Sequence, residues 1–405
     1  LSALFSLIIL GVGALVLLYC WGYFDHSRRR LALFSSQMVG FATAMYGLVI
    51  SDSFLLLYVF WEITSLLSFL LVSYYGERAS SRRSAQQALM VTVLGGLAML
   101  VGITLLGRQT GAWSFSSIAA TEDLANTPYL TVAIVLILCG ALSKSAIAPA
   151  HFWLPGAMAA PTPVSAYLHS AAMVKAGIYL VARLAPSVHD IPTWHLVVLP
   201  LGAFTMLLGG WMALKQRDLK LILAYGTVSQ LGFITAIIAI GSREAMQAGL
   251  ALTVAHSLFK AALFMIVGAI DHSTGTRDID KLAGLGKKNP ALYVLAILPA
   301  MSMAGIPPLL GFVSKEATLE AIMGEELLVG MPRNMLLVTV VVGSALTMAY
   351  ALRFLWGAFS SKGQDEPSEA VANMHHIGPF LWIPPTVLTL LTIFFGLRPL
   401  PLSHG

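Results

Sequence analysis

The sequence predicts an all-α polytopic membrane protein of about twelve transmembrane helices, arranged as two inverted repeats that each contain a broken helix. Of the 405 residues, 57% are hydrophobic and only 11% are charged, which is less than half the charged fraction of an ordinary soluble domain. Apolar segments of about 20 residues recur along the chain, and each is long enough to cross a hydrocarbon core roughly 30 Å thick. Because lipid offers the backbone no hydrogen bonds, such segments are expected to be helical.

The predicted crossings follow one another through a single membrane domain, residues 1–405. Their ranges are 3–24, 31–50, 53–75, 85–107, 130–150, 164–184, 196–214, 220–240, 247–270, 291–312, 334–358 and 378–398. The chain begins with Leu and ends soon after its last apolar segment, so we expect it to be truncated at both ends. The basic residues behind the net charge of +5 are spread over short loops, which argues against nucleic acid as a partner.

Loop charges predict an orientation in the membrane. Loops after odd-numbered crossings carry fourteen Lys and Arg residues, Lys220 among them, whereas the even loops and the tail carry five. The positive-inside rule then places the odd loops in the cytoplasm. Both ends of this chain are expected outside a prokaryotic cell membrane.

Prolines interrupt the helical pattern in two crossings. The fifth leads into Pro149 and Pro155, and the tenth contains Pro307 and Pro308. Proline removes a backbone donor and clashes with the preceding turn, so each region is expected to unwind partway through the membrane.

The two interruptions suggest an internal symmetry. Each interrupted region contains a Ser-Lys pair, at 143–144 and 314–315. Paired discontinuous helices are typical of transporters built from repeats. We therefore predict an inverted repeat, with residues 31–184 matched to 196–358; two proline kinks without symmetry are the alternative.

Five ionisable residues lie unusually deep in the predicted crossings. They are Glu62, Lys144, Lys175, Lys260 and Lys315. Each such charge costs about 2.5–3.5 kcal/mol on insertion scales, so something must offset the expense. Pairing with an opposite charge, hydration, or a Lys that is neutral part of the time would do so. The last two are what a proton path requires.

Two histidines extend this set. His256 lies four residues before Lys260, so a helix places both on nearly the same face, which favours a relay step. His169 lies six residues before Lys175, which places those two on different faces. Structural alternatives remain open: His169 as an interhelical hydrogen-bond partner, Lys175 as a snorkelling side chain, and Glu62 with Lys144 as a static ion pair.

No phosphate-binding loop, iron-sulfur ligand pattern or dinucleotide fingerprint occurs in the sequence, so no cofactor is expected. The energy source of the protein is therefore expected to be an ion gradient or a partner subunit. No acidic oxygen cluster typical of a hard-cation site lies within the crossings, so the sequence leaves a metal site unknown.

Several long motifs carry a resemblance to a known family. They are YVFWEITSLLSFLLVSYYGE, KSAIAPAHFWLPGAMAAPTPVSAYLHSAAMVKAGIYL, RDLKLILAYGTVSQLGF, AHSLFKAALF and GIPPLLGFVSKE. Together they resemble the antiporter-like membrane subunits shared by respiratory complex I, membrane hydrogenases and multi-subunit Mrp-type antiporters. VKAGIYL, DHSTGTRD and SKEATLEA most resemble the A subunit of the Mrp type. This resemblance implies two further crossings before Leu1 and a long C-terminal extension.

The resemblance also implies roles for individual residues. Glu62 matches the central glutamate of the family and Lys144 its partner on the first broken helix. His169 and Lys175 match the following helix, and His256 and Lys260 match the bridging helix. Lys315 matches the lysine of the second broken helix. One departure is Leu252, where some respiratory homologues carry a second histidine.

The predicted function is that of a proton-translocating subunit in a bacterial Na⁺/H⁺ antiporter, a secondary transporter and not an enzyme. Its expected partners are other membrane subunits, protons and Na⁺, and the lipid bilayer. The alternative is a proton-pumping subunit of a redox complex, similar to chain 5 of NADH:quinone oxidoreductase or to a membrane hydrogenase subunit. A channel or structural scaffold is a third class.

Overall fold

The computed structural model describes residues 1–24, 28–121, 124–325, 328 and 330–398, and this part of the chain contains α-helices, short 3₁₀ turns and no β-strand. The predicted all-α class is therefore confirmed. The helices are α1 Ser2–Tyr23, α2 Arg28–Ile50, α3 Phe54–Val72, α4 Ala79–Thr110, α5 Phe115–Ala119, α6 Leu130–Lys144, α7 Trp153–Gly156, α8 Thr162–Ser170, α9 Lys175–Val188, α10 Pro192–Leu214, α11 Leu219–Ala239, α12 Arg243–Thr274, α13 Leu285–Lys288, α14 Pro290–Ala304, α15 Leu310–Met323, α16 Met331–Phe359, α17 Glu369–Ala372 and α18 Pro379–Leu397.

Ten helical segments of the described chain are long and apolar enough to cross a membrane, with α8 and α9 together forming one of them. The other two predicted crossings, 130–150 and 291–312, contain α6 and α14, each of 15 residues. A helix of that length spans about 22 Å, which is less than the hydrocarbon core. Both crossings are therefore discontinuous, and α7 and α15 continue them.

The prolines lie close to both breaks. Pro149 follows the end of α6 and precedes a 3₁₀ turn at Ala150–Phe152, and Pro155 lies inside the short helix α7. Pro307 and Pro308 lie between α14 and α15. α6 ends at Lys144, before the chain reaches Pro149, because the chain turns through Ala146 at a φ of 53°.

A third interruption separates α8 from α9, where the sequence predicted one continuous crossing over 164–184. The amide of Val174 donates to Leu168 O over 3.3 Å, six residues back, so the helical ladder is broken. Ser145 Oγ donates to the Val174 carbonyl over 2.8 Å and satisfies it. No proline marks this break, so proline content alone did not predict it.

One local arrangement occurs twice in the chain. α4 and α12 each have 32 residues and end at a glycine with positive φ, at 72° for Gly111 and 70° for Gly275. Three residues later the chain forms an antiparallel bridge to the start of α3 in one case and of α11 in the other. The bonds are Phe54 N to Trp113 O at 3.0 Å, Phe115 N to Asp52 O at 3.0 Å, Leu219 N to Arg277 O at 3.0 Å and Ile279 N to Arg217 O at 2.9 Å.

Close packing of α6 against α9 depends on Gly177. A methyl group there would overlap the Ala141 carbonyl oxygen and Ser145 Oγ. We expect Gly177→Ala to destabilise the protein by about 1–3 kcal/mol, because backbone atoms cannot move aside as a flexible side chain does. Thermal unfolding of the purified protein measures this change, with Gly11→Ala as the control, since nothing lies within 4 Å of that position. Equal unfolding temperatures for the two variants would contradict the prediction.

Candidate functional site

Glu62 lies on α3 with one carboxylate oxygen buried. Its Oε1 has no hydrogen-bond partner, and a methyl group at Gly96 on α4 would overlap this atom. The glycine therefore leaves the space that the carboxyl group occupies. An unpartnered buried carboxylate oxygen is costly, which marks this residue as a candidate for function.

Lys144 is fully buried at the last position of α6. Its ammonium group donates to Trp61 O and Thr64 Oγ1, both at 2.6 Å, and to Ser65 Oγ at 3.1 Å. It also lies 4.5 Å from the centre of the Trp61 ring. Among the described residues no salt bridge joins Lys144 to Glu62, although the two charges interact at longer range. The direct static ion pair that the sequence left open is therefore not present.

His169 is fully buried near the end of α8, and neither ring nitrogen has a hydrogen-bond partner. Its ring centre lies 6.1 Å from that of Trp153 on α7. The ring thus lies beside the first broken crossing. It is not an interhelical hydrogen-bond partner in this structure.

Lys220 is a buried lysine. Its assignment to a loop from the sequence was wrong. Its side chain is 1% exposed, and Nζ donates to Ala160 O at 2.5 Å and to Met158 O at 2.9 Å. It also interacts electrostatically with His169. The available signal was Asp218, the cap of α11, because Lys220 is the second residue after this cap and so lies inside the helix and not in the loop.

Lys175 and His256 form a direct contact between the two halves of the chain. Lys175 Nζ lies 2.9 Å from His256 Nδ1, and both side chains are fully buried. Lys175 is the first residue of α9, directly after the third interruption. A snorkelling position for Lys175 is excluded, because the side chain ends on α12 and not at the membrane surface.

Lys260 lies one turn after His256 but has a different partner. Its Nζ donates to Leu223 O on α11 over 3.0 Å and lies 5.6 Å from the centre of the Tyr350 ring. His256 Nε2 has no partner. The two side chains share a face of α12 as the spacing predicted, but no hydrogen bond joins them.

Lys315 lies on α15 and contacts the end of α14. Its Nζ donates to Met303 O and Ala304 O, both at 3.1 Å, and these are the last carbonyls of α14. A methyl group at Gly305 would come within 2.8 Å of Lys315 Cδ, so glycine permits this approach. The Lys315 ammonium group thus joins α15 to α14 across the second break through two backbone oxygens.

The buried amines share one property. Each is bound by carbonyl, hydroxyl or imidazole groups, and no described residue pairs one with a carboxylate within salt-bridge distance. In the described ranges no group of three His, Cys, Asp or Glu side chains is arranged for a metal ion. Neutral ligands allow an amine to lose its proton without leaving a carboxylate unpaired.

An ion pair joins Arg183 on α9 to Asp52, which lies between α2 and α3 and outside the spanning segments. Asp52 Oδ1 accepts from Arg183 Nη2 over 2.9 Å, and Asp52 Oδ2 accepts from Ser116 Oγ over 2.5 Å. The Ser116 hydrogen bond, with the Arg183 charge, lowers the pKa of Asp52 below its ordinary value. This carboxylate is therefore charged at neutral pH and ties α9 to the start of α3.

The fold and the buried amines define a multi-pass membrane protein with discontinuous helices and ionisable groups in its interior. Residues 51–347 match the family model described as NADH:quinone oxidoreductase/Mrp antiporter, transmembrane. The chain belongs to this family. It is 42% identical over 417 residues to the A1 subunit of a Na⁺/H⁺ antiporter from Staphylococcus aureus (strain bovine RF122 / ET3-1), and the match covers 98% of this chain and 52% of that protein. It thus spans about half the length of the curated relatives it matches.

Two solved structures are similar to this one. In the Mrp complex from Dietzia sp. DQ12-45-1b, one chain aligns with a TM-score of 0.89 and 38% identity, over 98% of this chain and 42% of that chain. In the membrane-bound sulfane sulfur reductase, an archaeal respiratory membrane complex, a chain aligns with a TM-score of 0.87 and 23% identity, over 99% and 79% of the two chains. The second likeness concerns the fold alone.

Proposed function

We propose that this chain is the proton-translocating part of a subunit in a multi-subunit Na⁺/H⁺ antiporter of a bacterial cell membrane. The observation that carries the proposal is a set of buried amines bound by neutral groups and joined across the two halves by the Lys175–His256 contact. The name of the Staphylococcus relative supports Na⁺ and H⁺ as the exchanged ions. The structural similarity to a chain of the Mrp complex supports other membrane subunits as partners.

In this proposal protons move between neighbouring ionisable groups along the interior. Glu62 and Lys144 exchange charge in the first half, Lys175 and His256 link the halves, and Lys315 acts at the second broken crossing. His169, Lys220 and Lys260 complete the series. Each amine accepts a proton when a neighbouring positive charge is absent and releases it when that charge arrives.

The bridge at the start of α3 has a counterpart at the start of α11. This repetition supports two inverted repeats, residues 31–184 and 196–358. Five crossings separate the two bridges along the chain, and this odd number supports bridges on opposite sides of the membrane. The loop charges support the orientation with odd loops in the cytoplasm, since removing buried Lys220 from fourteen still leaves thirteen against five. The N-terminal end is then outside; the last residues of the chain lie beyond the described part.

A redox-driven proton pump is the second candidate. Its support is the family description, which includes NADH:quinone oxidoreductase. The identity of 42% to a Na⁺/H⁺ antiporter subunit favours the first candidate.

Everted vesicles that contain the assembled complex separate the two candidates. We expect added Na⁺ to release an imposed proton gradient without NADH or any other electron donor, because exchange needs only the two ion gradients. A fluorescent pH probe measures the release, and vesicles without the complex are the control. Proton movement that requires an electron donor and ignores Na⁺ would support the redox pump instead.

A further inference from the structure

The Lys144 ammonium occupies a cage of oxygens from one turn of α3. The cage consists of the Trp61 carbonyl oxygen, Thr64 Oγ1 and Ser65 Oγ, at residues i, i+3 and i+4. This spacing places all three oxygens on one side of the helix, directed at a single point. All three residues are fully buried, so no bulk water shares the point.

The two hydroxyl groups are oriented to bind a cation. Thr64 Oγ1 and Ser65 Oγ both donate to Trp61 O, over 2.7 Å and 3.2 Å. Because their hydrogens are used in this way, their lone pairs face the Lys144 ammonium. The cage therefore presents only hydrogen-bond acceptors to the cation that it holds.

Two sources of negative potential lie beside the cage. Glu62 is adjacent to Trp61 and Oε1 is buried with no hydrogen-bond partner, and the charge of Glu62 acts on Lys144. α6 ends at Lys144, so the negative end of its helix dipole points toward the same place. Half-helix C-terminal ends and carbonyl oxygens are the groups that bind Na⁺ in transporters with broken helices.

We propose that this cage, Trp61 O with Thr64 Oγ1 and Ser65 Oγ, is a binding site for a dehydrated Na⁺ ion, and that Na⁺ and the Lys144 ammonium occupy it in turn. Hard cations prefer neutral and anionic oxygen ligands of this kind. The inference rests on the proposed antiport and names the place where its cation binds.

The exchange balances without any further reactant. When the Lys144 side chain leaves the cage, one Na⁺ takes the position of its ammonium group beside Glu62. The charge in the cage is +1 before and after, so the exchange creates no unpaired buried charge. Both cations together would repel each other at short range in a medium of low dielectric, which makes the occupancy exclusive.

Equilibrium binding of ²²Na⁺ to the purified complex tests the proposal. We expect Thr64→Val with Ser65→Ala to raise the dissociation constant for Na⁺ at least ~10-fold, because two of the three oxygens are removed with little change of shape. Ser68→Ala is the matched control, since this buried hydroxyl on the same face of α3 donates to Ser65 O and does not contact Lys144. Thr64→Ser with Ser65 intact keeps both hydroxyls and is expected to bind as the parent does.

Removal of the competing side chain separates shared occupancy from a merely structural role. Exclusive occupancy makes the Lys144 ammonium a competitor for the cage, so Lys144→Ala is expected to lower the dissociation constant for Na⁺ by at least ~10-fold. Parental binding by the hydroxyl-deleted variant, unchanged or weaker binding by Lys144→Ala, or a parental complex that binds no Na⁺ would each overturn the proposal. Failure of the antiport itself is seen separately, as absence of Na⁺-driven proton movement in vesicles.

Discussion

Replacement of Lys144 by alanine is expected to abolish Na⁺-driven proton movement while the complex still assembles. The side chain is fully buried and supplies the only amine that reaches α3 in the described chain. Alanine cannot carry a proton, and removal of a proton-transfer group costs roughly 100-fold or more in rate. The initial rate of proton release in everted vesicles measures the effect.

The matched control is Lys281→Ala, because this lysine is exposed and is expected to retain the parental rate. Assembly of both variants is checked by copurification of the partner subunits. Parental flux in an assembled Lys144→Ala complex would remove this residue from the mechanism. Loss of flux in both variants would show that the measured rate responds to assembly or to any change of charge, and not to Lys144 in particular.

Replacement of Lys175 by methionine is expected to stop proton movement between the two halves. Methionine has a similar length but no titratable group, so the 2.9 Å contact with His256 Nδ1 is lost. The expected rate falls by about 100-fold, again because a proton-transfer group is removed. Stopped-flow measurement of the pH change in vesicles resolves the residual rate.

A second substitution at the same position separates proton transfer from charge. Arginine keeps the positive charge and the hydrogen-bond donors, but it does not lose its proton in proteins. We expect Lys175→Arg to be as inactive as Lys175→Met. An active arginine variant would indicate a static structural contact, and Lys287→Met, at an exposed lysine, serves as the neutral control.

The sequence predicted the helical class and both proline-linked breaks, because composition and proline act locally. It also gave seven candidate residues within apolar segments, of which six are buried in the structure and Glu62 is partly buried. It did not predict the break at 171–174, since that turn depends on Ser145 of another helix to satisfy Val174 O. Tertiary hydrogen bonds of this kind have no local signature.

Contacts between the candidates depend on how the helices pack. Spacing within α12 predicted that His256 and Lys260 share a face, but their partners lie on α9 and α11. Lys220 was missed because a charge near a helix start is ordinarily solvated, whereas here the chain after α7 covers it. The sequence did not predict the oxygen cage of Lys144 either, since one of its three ligands is the backbone carbonyl of Trp61.

The two antiparallel bridges limit how α3 and α11 are able to move. One bridge joins the start of α3 to the segment after α4, and the other joins the start of α11 to the segment after α12. The far ends of both helices are also held, because Ser81 Oγ donates to Val72 O on α3 and Trp194 Nε1 donates to Ala239 O on α11. Each helix is therefore tied to a sequence neighbour at both ends, which opposes tilting of either helix as a rigid rod.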